Sequence, residues 1–268
     1  MDISILITVG LAGYLIGSLS FARIIVRWVN PTLSLDEARR HRSDQGLEGT
    51  VSGIGASAAS IALGKKYGGI VALLDILKAF IPILLLRLYF PDGIYHFVFS
   101  IFCIIGHNYP IYYRFQGGRG LSPMIGSLLV IEPLGMVVCM VIAVLLAIII
   151  NQPHTSLILW FPIFGLWGWF VNNDLTLAVY AIVLFAIFMI AEIPEIRLAM
   201  QYRKQGRMDG YNKMILDSSP QTRAMQRLAA KVRFWEKRNP PQLYGETDCI
   251  TRSIWLLPDL YFKELCDF

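Results

Sequence analysis

Histidine, asparagine, arginine and glycine crowd into the fifteen residues from Gly106-His107-Asn108-Tyr109-Pro110 through Phe115-Gln116-Gly117-Gly118-Arg119-Gly120. Gly117, Gly118 and Gly120 fall within four positions, so the backbone can turn its N–H groups inward as a nest, and Arg119 sets a forked cation among them. An anion such as phosphate suits those groups. Ser122-Pro123 come next, a capping residue type and a proline that a first helical position accepts, so the loop is expected to open a helix whose positive end faces the same spot. The competing reading of Gly117–Gly120 is an ordinary interfacial turn between two spans. His107 has the chemistry of a base or an oriented acceptor; otherwise it is an interfacial histidine bonded to a backbone carbonyl. Asn108 either meets a ligand or turns the chain ahead of Pro110.

The elements that must hold this loop are apolar. Across 268 residues the chain is 55% hydrophobic with a mean hydropathy of +0.54, far more apolar surface than one water-soluble core uses. The expected fold is an all-α, multispanning membrane helical bundle with about five full crossings plus one or two partial helices. Ile3 to Val29 reads as one span, with Arg23 and Arg27 snorkelling at its far end. Tyr67 to Phe90, Ile94 to Tyr113, Met124 to Ile150 and Leu175 to Ala191 read as further crossings. Glu132-Pro133 should cut off a short first helix in the fourth, and Ser156 to Val171 is too short to cross. Basic residues from Arg197 to Arg238 put the C-terminus inside by the positive-inside rule, and parity then puts the N-terminus outside. Basic excess beside apolar spans points to anionic lipid ahead of nucleic acid.

Within the second span Asp75 and Lys78 stand three apart on one helical face, either as a substrate-facing patch or as an ion pair that fixes packing. Lys65 and Lys66 are candidates for phosphate contact or simple topology determinants, and Arg114 is a third candidate cation. Two domains are expected: 1–200, embedded in the membrane, and 201–268, a basic cytosolic tail. In the tail Met225, Leu228, Val232 and Trp235 share one face of a basic amphipathic helix that lies on headgroups or docks a soluble partner. The cysteines Cys103, Cys139, Cys249 and Cys266 are scattered, and no metal-ligand cluster or nucleophile triad is visible.

Four stretches together resemble the acyl-phosphate-dependent glycerol-3-phosphate acyltransferases of bacterial membranes, the PlsY family: Gly17-Ser18-Leu19-Ser20-Phe21, Ala62 to Gly68, Leu74 to Ala79, and the His107 to Gly120 loop. The loop resembles the family's Gly-His-Asn-Phe-Pro and Phe-Lys-Gly-Gly-Lys-Gly pattern, with Arg119 where lysine is usual. This resemblance implies transfer of an acyl group from acyl phosphate to glycerol 3-phosphate, giving lysophosphatidic acid in the cell (inner) membrane, with no cofactor. It also implies a soluble partner that produces acyl phosphate at the cytosolic face. His107, Asn108 and Arg119 would be catalytic, and Gly117, Gly118, Gly120, Ser52, Lys65, Lys66 and Arg114 would bind substrate. Two motifs are eroded. Around Val51-Ser52-Gly53-Ile54-Gly55-Ala56-Ser57-Ala58 both family asparagines are missing, and Ile61 stands at a basic position. Where the family has His-Arg-Glu-Asn, this chain reads Ala191-Glu192-Ile193-Pro194-Glu195, with only Arg197-Leu198 retained beyond it. Those losses leave open a non-catalytic paralogue that binds lipid or acyl phosphate anions.

Overall fold

The computed structural model describes residues 2–35, 53–91, 93–149 and 155–206. Among the described residues every regular element is helical. They are α1 (Ile3–Gly17), α2 (Phe21–Val29), α3 (Ala56–Leu63), α4 (Lys65–Tyr89), α5 (Tyr95–Asn108), α6 (Leu121–Ile131), α7 (Pro133–Ile149), α8 (Thr155–Phe170) and α9 (Leu175–Lys204), with a 3-10 turn at Ile111–Tyr113. The all-α membrane bundle is borne out. Leu11, Leu85, Leu145 and Ile182 lie between 48% and 65% exposed on its outer faces, a surface that suits lipid and not water. Ser52 and the expected amphipathic helix of the tail lie outside the described residues.

Among the described residues three stretches are long and apolar enough to cross a membrane: Ile3–Val29, Lys65–Tyr89 and Leu175–Lys204. The crossings expected over Ile94 to Tyr113 and Met124 to Ile150 are realised as helices of 14 and 17 residues. At about 1.5 Å per residue these reach roughly 21 and 26 Å, short of the roughly 30 Å hydrocarbon core. Glu132-Pro133 breaks the chain as its proline requires, leaving the 11-residue α6 ahead of α7. An end buried at that depth needs partners for its last carbonyls, and Arg87 supplies them, donating from Nη1 to the carbonyls of Val130 and Ile131, the latter at 2.9 Å.

The first span corrects the expectation of one continuous helix. It breaks at Ser18-Leu19-Ser20, between α1 and α2. Beside the break, α1 lies against α5 at backbone distance. A Cβ on Gly13 would sit 2.7 Å from the Phe99 carbonyl oxygen, one on Gly17 would overlap the Cys103 carbonyl, and one on Gly106 would overlap that of Tyr14. Small residues permit this approach where lipid supplies no hydrophobic drive between helices. The contact fixes the C-terminal end of α5, which carries His107 and Asn108. Gly106→Val should therefore cost about 1–3 kcal/mol, the range of overpacked cores, and lower the thermal midpoint of the lipid-reconstituted protein. Gly69→Ala, where a Cβ meets nothing within 4 Å, should leave the midpoint unchanged or slightly raised.

Candidate functional site

A buried ammonium sits under the loop. Lys78 Nζ is 2.7 Å from Asp75 Oδ1, 3.1 Å from the Gly17 carbonyl, 2.9 Å from the Leu19 carbonyl and 2.9 Å from His107 Nδ1. Asp75 is 1% exposed and Lys78 7%, which decides for a packing ion pair over a substrate-facing patch. An ammonium has only donors, so towards His107 it donates, and Nδ1 is the unprotonated ring nitrogen. The ring proton then sits on Nε2, and the side of His107 that faces the loop is a donor. Asp75 Oδ1, 3.6 Å from Nδ1, is too distant for a hydrogen bond.

The loop closes over this ring. After Pro110 the 3-10 turn runs into Arg114 and Phe115, both in left-handed backbone at φ 52° and 59°, a conformation that costs a non-glycine residue of order 1 kcal/mol. The Phe115 amide donates to the Pro110 carbonyl at 3.0 Å, and Arg23 holds the turn from the first span. Arg23 Nη2 donates to the Gln116 carbonyl at 2.7 Å and its guanidinium lies 4.5 Å from the centre of the Tyr113 ring, so it braces the loop where headgroup snorkelling was expected. The Gly118 amide donates to the His107 carbonyl at 3.0 Å, and the Gly117 carbonyl accepts from the Ile54 amide at 2.8 Å.

These bonds revise two expectations. One amide of the supposed nest is already spent on His107. The glycines are there for close approach: a Cβ on Gly118 would fall on His107 Nε2, and one on Gly117 would overlap the His107 carbonyl oxygen. The helix cap is Gly120, in left-handed backbone at φ 78°, with Leu121 opening α6; Ser122 caps nothing and Pro123 is the third helical residue. Proline is tolerated there because the first-turn amides lack intrahelical partners.

Asn108 and Arg119 flank that helix start. Asn108 is 3% exposed, and among the described residues neither Oδ1 nor Nδ2 has a hydrogen-bond partner. A Cβ on Gly120 would come within 2.8 Å of its Oδ1, which locates the open amide against the cap. Arg119 turns towards α9: Nη2 is 2.8 Å from Glu195 Oε2 and Nε is 3.3 Å from Glu192 Oε1. Gly53 packs on its stem, 3.3 Å from Cγ by the position of an added Cβ. His107, Asn108, Gly117, Gly118, Arg119 and Gly120 are thus brought together. Lys65 and Lys66 stand exposed on the first turn of α4, and Arg114 is exposed on the turn; among the described residues none of them bonds the loop. Sequence reasoning missed Arg23, Glu192 and Glu195 as its neighbours, although the spacing of the two glutamates does put them on one helical face.

A family profile described as glycerol-3-phosphate acyltransferase matches residues 7–200, from α1 to the far part of α9. The chain belongs to the glycerol-3-phosphate acyltransferase family. Curated members include one from Myxococcus xanthus, 33% identical over 124 residues, or 46% of this chain and 58% of that protein. One from Mycoplasma capricolum is 30% identical over 184 residues, 61% of this chain and 66% of that protein. One from Oceanobacillus iheyensis is 42% identical over 93 residues, 32% of this chain and 45% of that protein. Against these relatives the match spans about half to two thirds of their length. The crystal structure of PlsY, an integral membrane glycerol 3-phosphate acyltransferase in its glycerol 3-phosphate form, has the same fold. Its TM-score is 0.60 at 23% identity, covering 75% of this chain and 93% of that one.

In this member of the glycerol-3-phosphate acyltransferase family the buried cluster is open to direct test. Lys78→Met strands Asp75 without its counter-charge and leaves the Gly17 and Leu19 carbonyls unpaired, which should cost about 3–5 kcal/mol. The double variant Asp75→Leu, Lys78→Met should regain part of that. A single variant as stable as the parent in chemical unfolding would show that the ammonium holds nothing together.

Proposed function

We propose that this chain transfers an acyl group from acyl phosphate to the primary hydroxyl of glycerol 3-phosphate at the cytosolic face of a cell membrane. The N-terminus lies outside and the basic residues after Arg197 lie inside. The hydroxyl oxygen bonds to the acyl carbonyl carbon, the bond from that carbon to the phosphate oxygen breaks, and the hydroxyl proton ends on the released phosphate. Lysophosphatidic acid and inorganic phosphate are the products. Both substrates present phosphate, which matches Arg119 beside the positive end of α6. His107 is taken to act as a hydrogen-bond donor through Nε2, because Lys78 already occupies Nδ1.

The observation that carries this reading is the open amide of Asn108, buried against the Gly120 cap. A buried polar group left unmatched costs about 1–3 kcal/mol, and a ligand bound at the helix start would supply its partner. Family membership and the PlsY fold support the substrate class. Lys65, Lys66, Arg114 and Ser52 remain proposed phosphate contacts of a second rank. The tail from 201 is proposed to rest on anionic headgroups, where it is also placed to meet a soluble supplier of acyl phosphate.

Lipid-reconstituted protein given a long-chain acyl phosphate and glycerol 3-phosphate should release lysophosphatidic acid. Arg119→Ala and Asn108→Ala should each lower kcat/KM by about tenfold to a hundredfold, the range for losing one charged or buried hydrogen bond. Glycerol 3-phosphate that binds without any product forming would instead identify a non-catalytic binding paralogue.

A further inference from the structure

We propose that Glu192 and Glu195 form an acidic latch that competes with substrate phosphate for Arg119 and thereby sets the affinity of the site for phosphate esters. The identity of the substrate rests on the acyl-transfer reading; the latch itself would meet any phosphate dianion.

The two glutamates are three residues apart on α9, on one face, and they grip Arg119 at two different nitrogens: Nε by Glu192 at 3.3 Å and Nη2 by Glu195 at 2.8 Å. The side chains are 29%, 13% and 9% exposed for Arg119, Glu192 and Glu195, so bulk water screens the contacts only in part. Two carboxylates already hold the one guanidinium. A dianion approaching it finds Nε and Nη2 already engaged, yet the planar fork of Arg119 is the geometry that phosphate takes bidentately. For phosphate to take that fork, at least one carboxylate has to leave. Pro194 lies between the two glutamates inside α9 and lacks the amide that would bond the preceding turn, so the helix is weakest where the latch has to yield. The arrangement gives Arg119 two carboxylate counter-charges when no substrate is bound and sets a threshold that only a strongly charged ligand crosses.

The test is isothermal calorimetry of inorganic phosphate and of glycerol 3-phosphate with the full chain in lipid, alongside the turnover assay. Glu192→Gln and Glu195→Gln keep size and one acceptor oxygen while removing the charge, and each leaves the other carboxylate to hold Arg119. Either should bind both ligands about threefold to tenfold more tightly, with a lower KM for glycerol 3-phosphate. In the Arg119→Ala background the same substitutions should bring no tightening, since the latch acts through the guanidinium. Equal or weaker binding in both variants, a fall in kcat with KM unchanged, or the same tightening without Arg119 would overturn the latch. Absence of phosphate binding in every form would overturn it too. Tighter binding by the variants in a protein that makes no lysophosphatidic acid would keep the latch and dismiss the acyl-transfer reading. Turnover with no change in affinity would do the reverse.

Discussion

One ammonium, that of Lys78, ties together pieces of chain that would otherwise be independent. Its three hydrogen-bond acceptors and its counter-charge Asp75 lie in three places: the break in the first span, its own helix α4, and the end of α5. A charge at 7% exposure is tolerable only when it is matched, and an irregular stretch of backbone inside a bilayer is tolerable only when its carbonyls are satisfied. Each defect answers the other. The interrupted helix gives Lys78 the oxygens that it needs, and Lys78 gives the interruption the donors that water would otherwise supply. His107 joins as the third acceptor, which fixes its tautomer and so the chemistry of its outer nitrogen.

The loop inherits its position from that ring. Gly117 and Gly118 touch His107 so closely that any side chain would displace it, and the left-handed cap at Gly120 starts α6 against Asn108. Glycine is often read as freedom, but here it serves as thinness: the backbone of one element lies directly on the side chains of another. The same is true of Gly13, Gly17 and Gly106, where two membrane helices meet at backbone distance. Rigidity in the loop therefore comes from what packs beneath it, with Arg23 bracing the strained turn from the side.

Electrostatics divide the site in two. Beneath the loop the charges are buried and mutually matched, a fixed foundation. At its rim Arg119 is half-buried between the carboxylates of Glu192 and Glu195, the contacts that the proposed phosphate would have to exchange. Short helices make this possible. Elements shorter than the bilayer bring their polar ends to depths where each end must find a protein partner, as α6 does through Arg87.

Local chemistry was legible from the residues in order. Apolar runs announced the helical bundle, Glu132-Pro133 announced a broken helix, and the three-residue spacing of Asp75 and Lys78 announced a shared face; the loop glycines read as an amide nest, whereas Gly117 and Gly118 serve close approach to His107. The first span read as unbroken because its hydropathy is unbroken; nothing nearby in the chain reveals a donor 59 and 61 residues away that lets the helix stop. Ser122 looked like the cap because its residue type favours that role, but a left-handed glycine two residues earlier had already turned the chain. Sequence periodicity reports which residues share a face and is silent about which face meets which. Lys78 with His107, Arg119 with Glu195 and Arg23 with Gln116 are pairings across 29, 76 and 93 residues, and only packing brings them within reach. The sequence by itself determined that this chain lives in a membrane as a helical bundle and carries a polar, glycine-rich loop between its apolar runs. The tertiary structure decided which nitrogen of the histidine holds its proton and which carboxylates hold the arginine, because both depend on distances that no local spacing encodes.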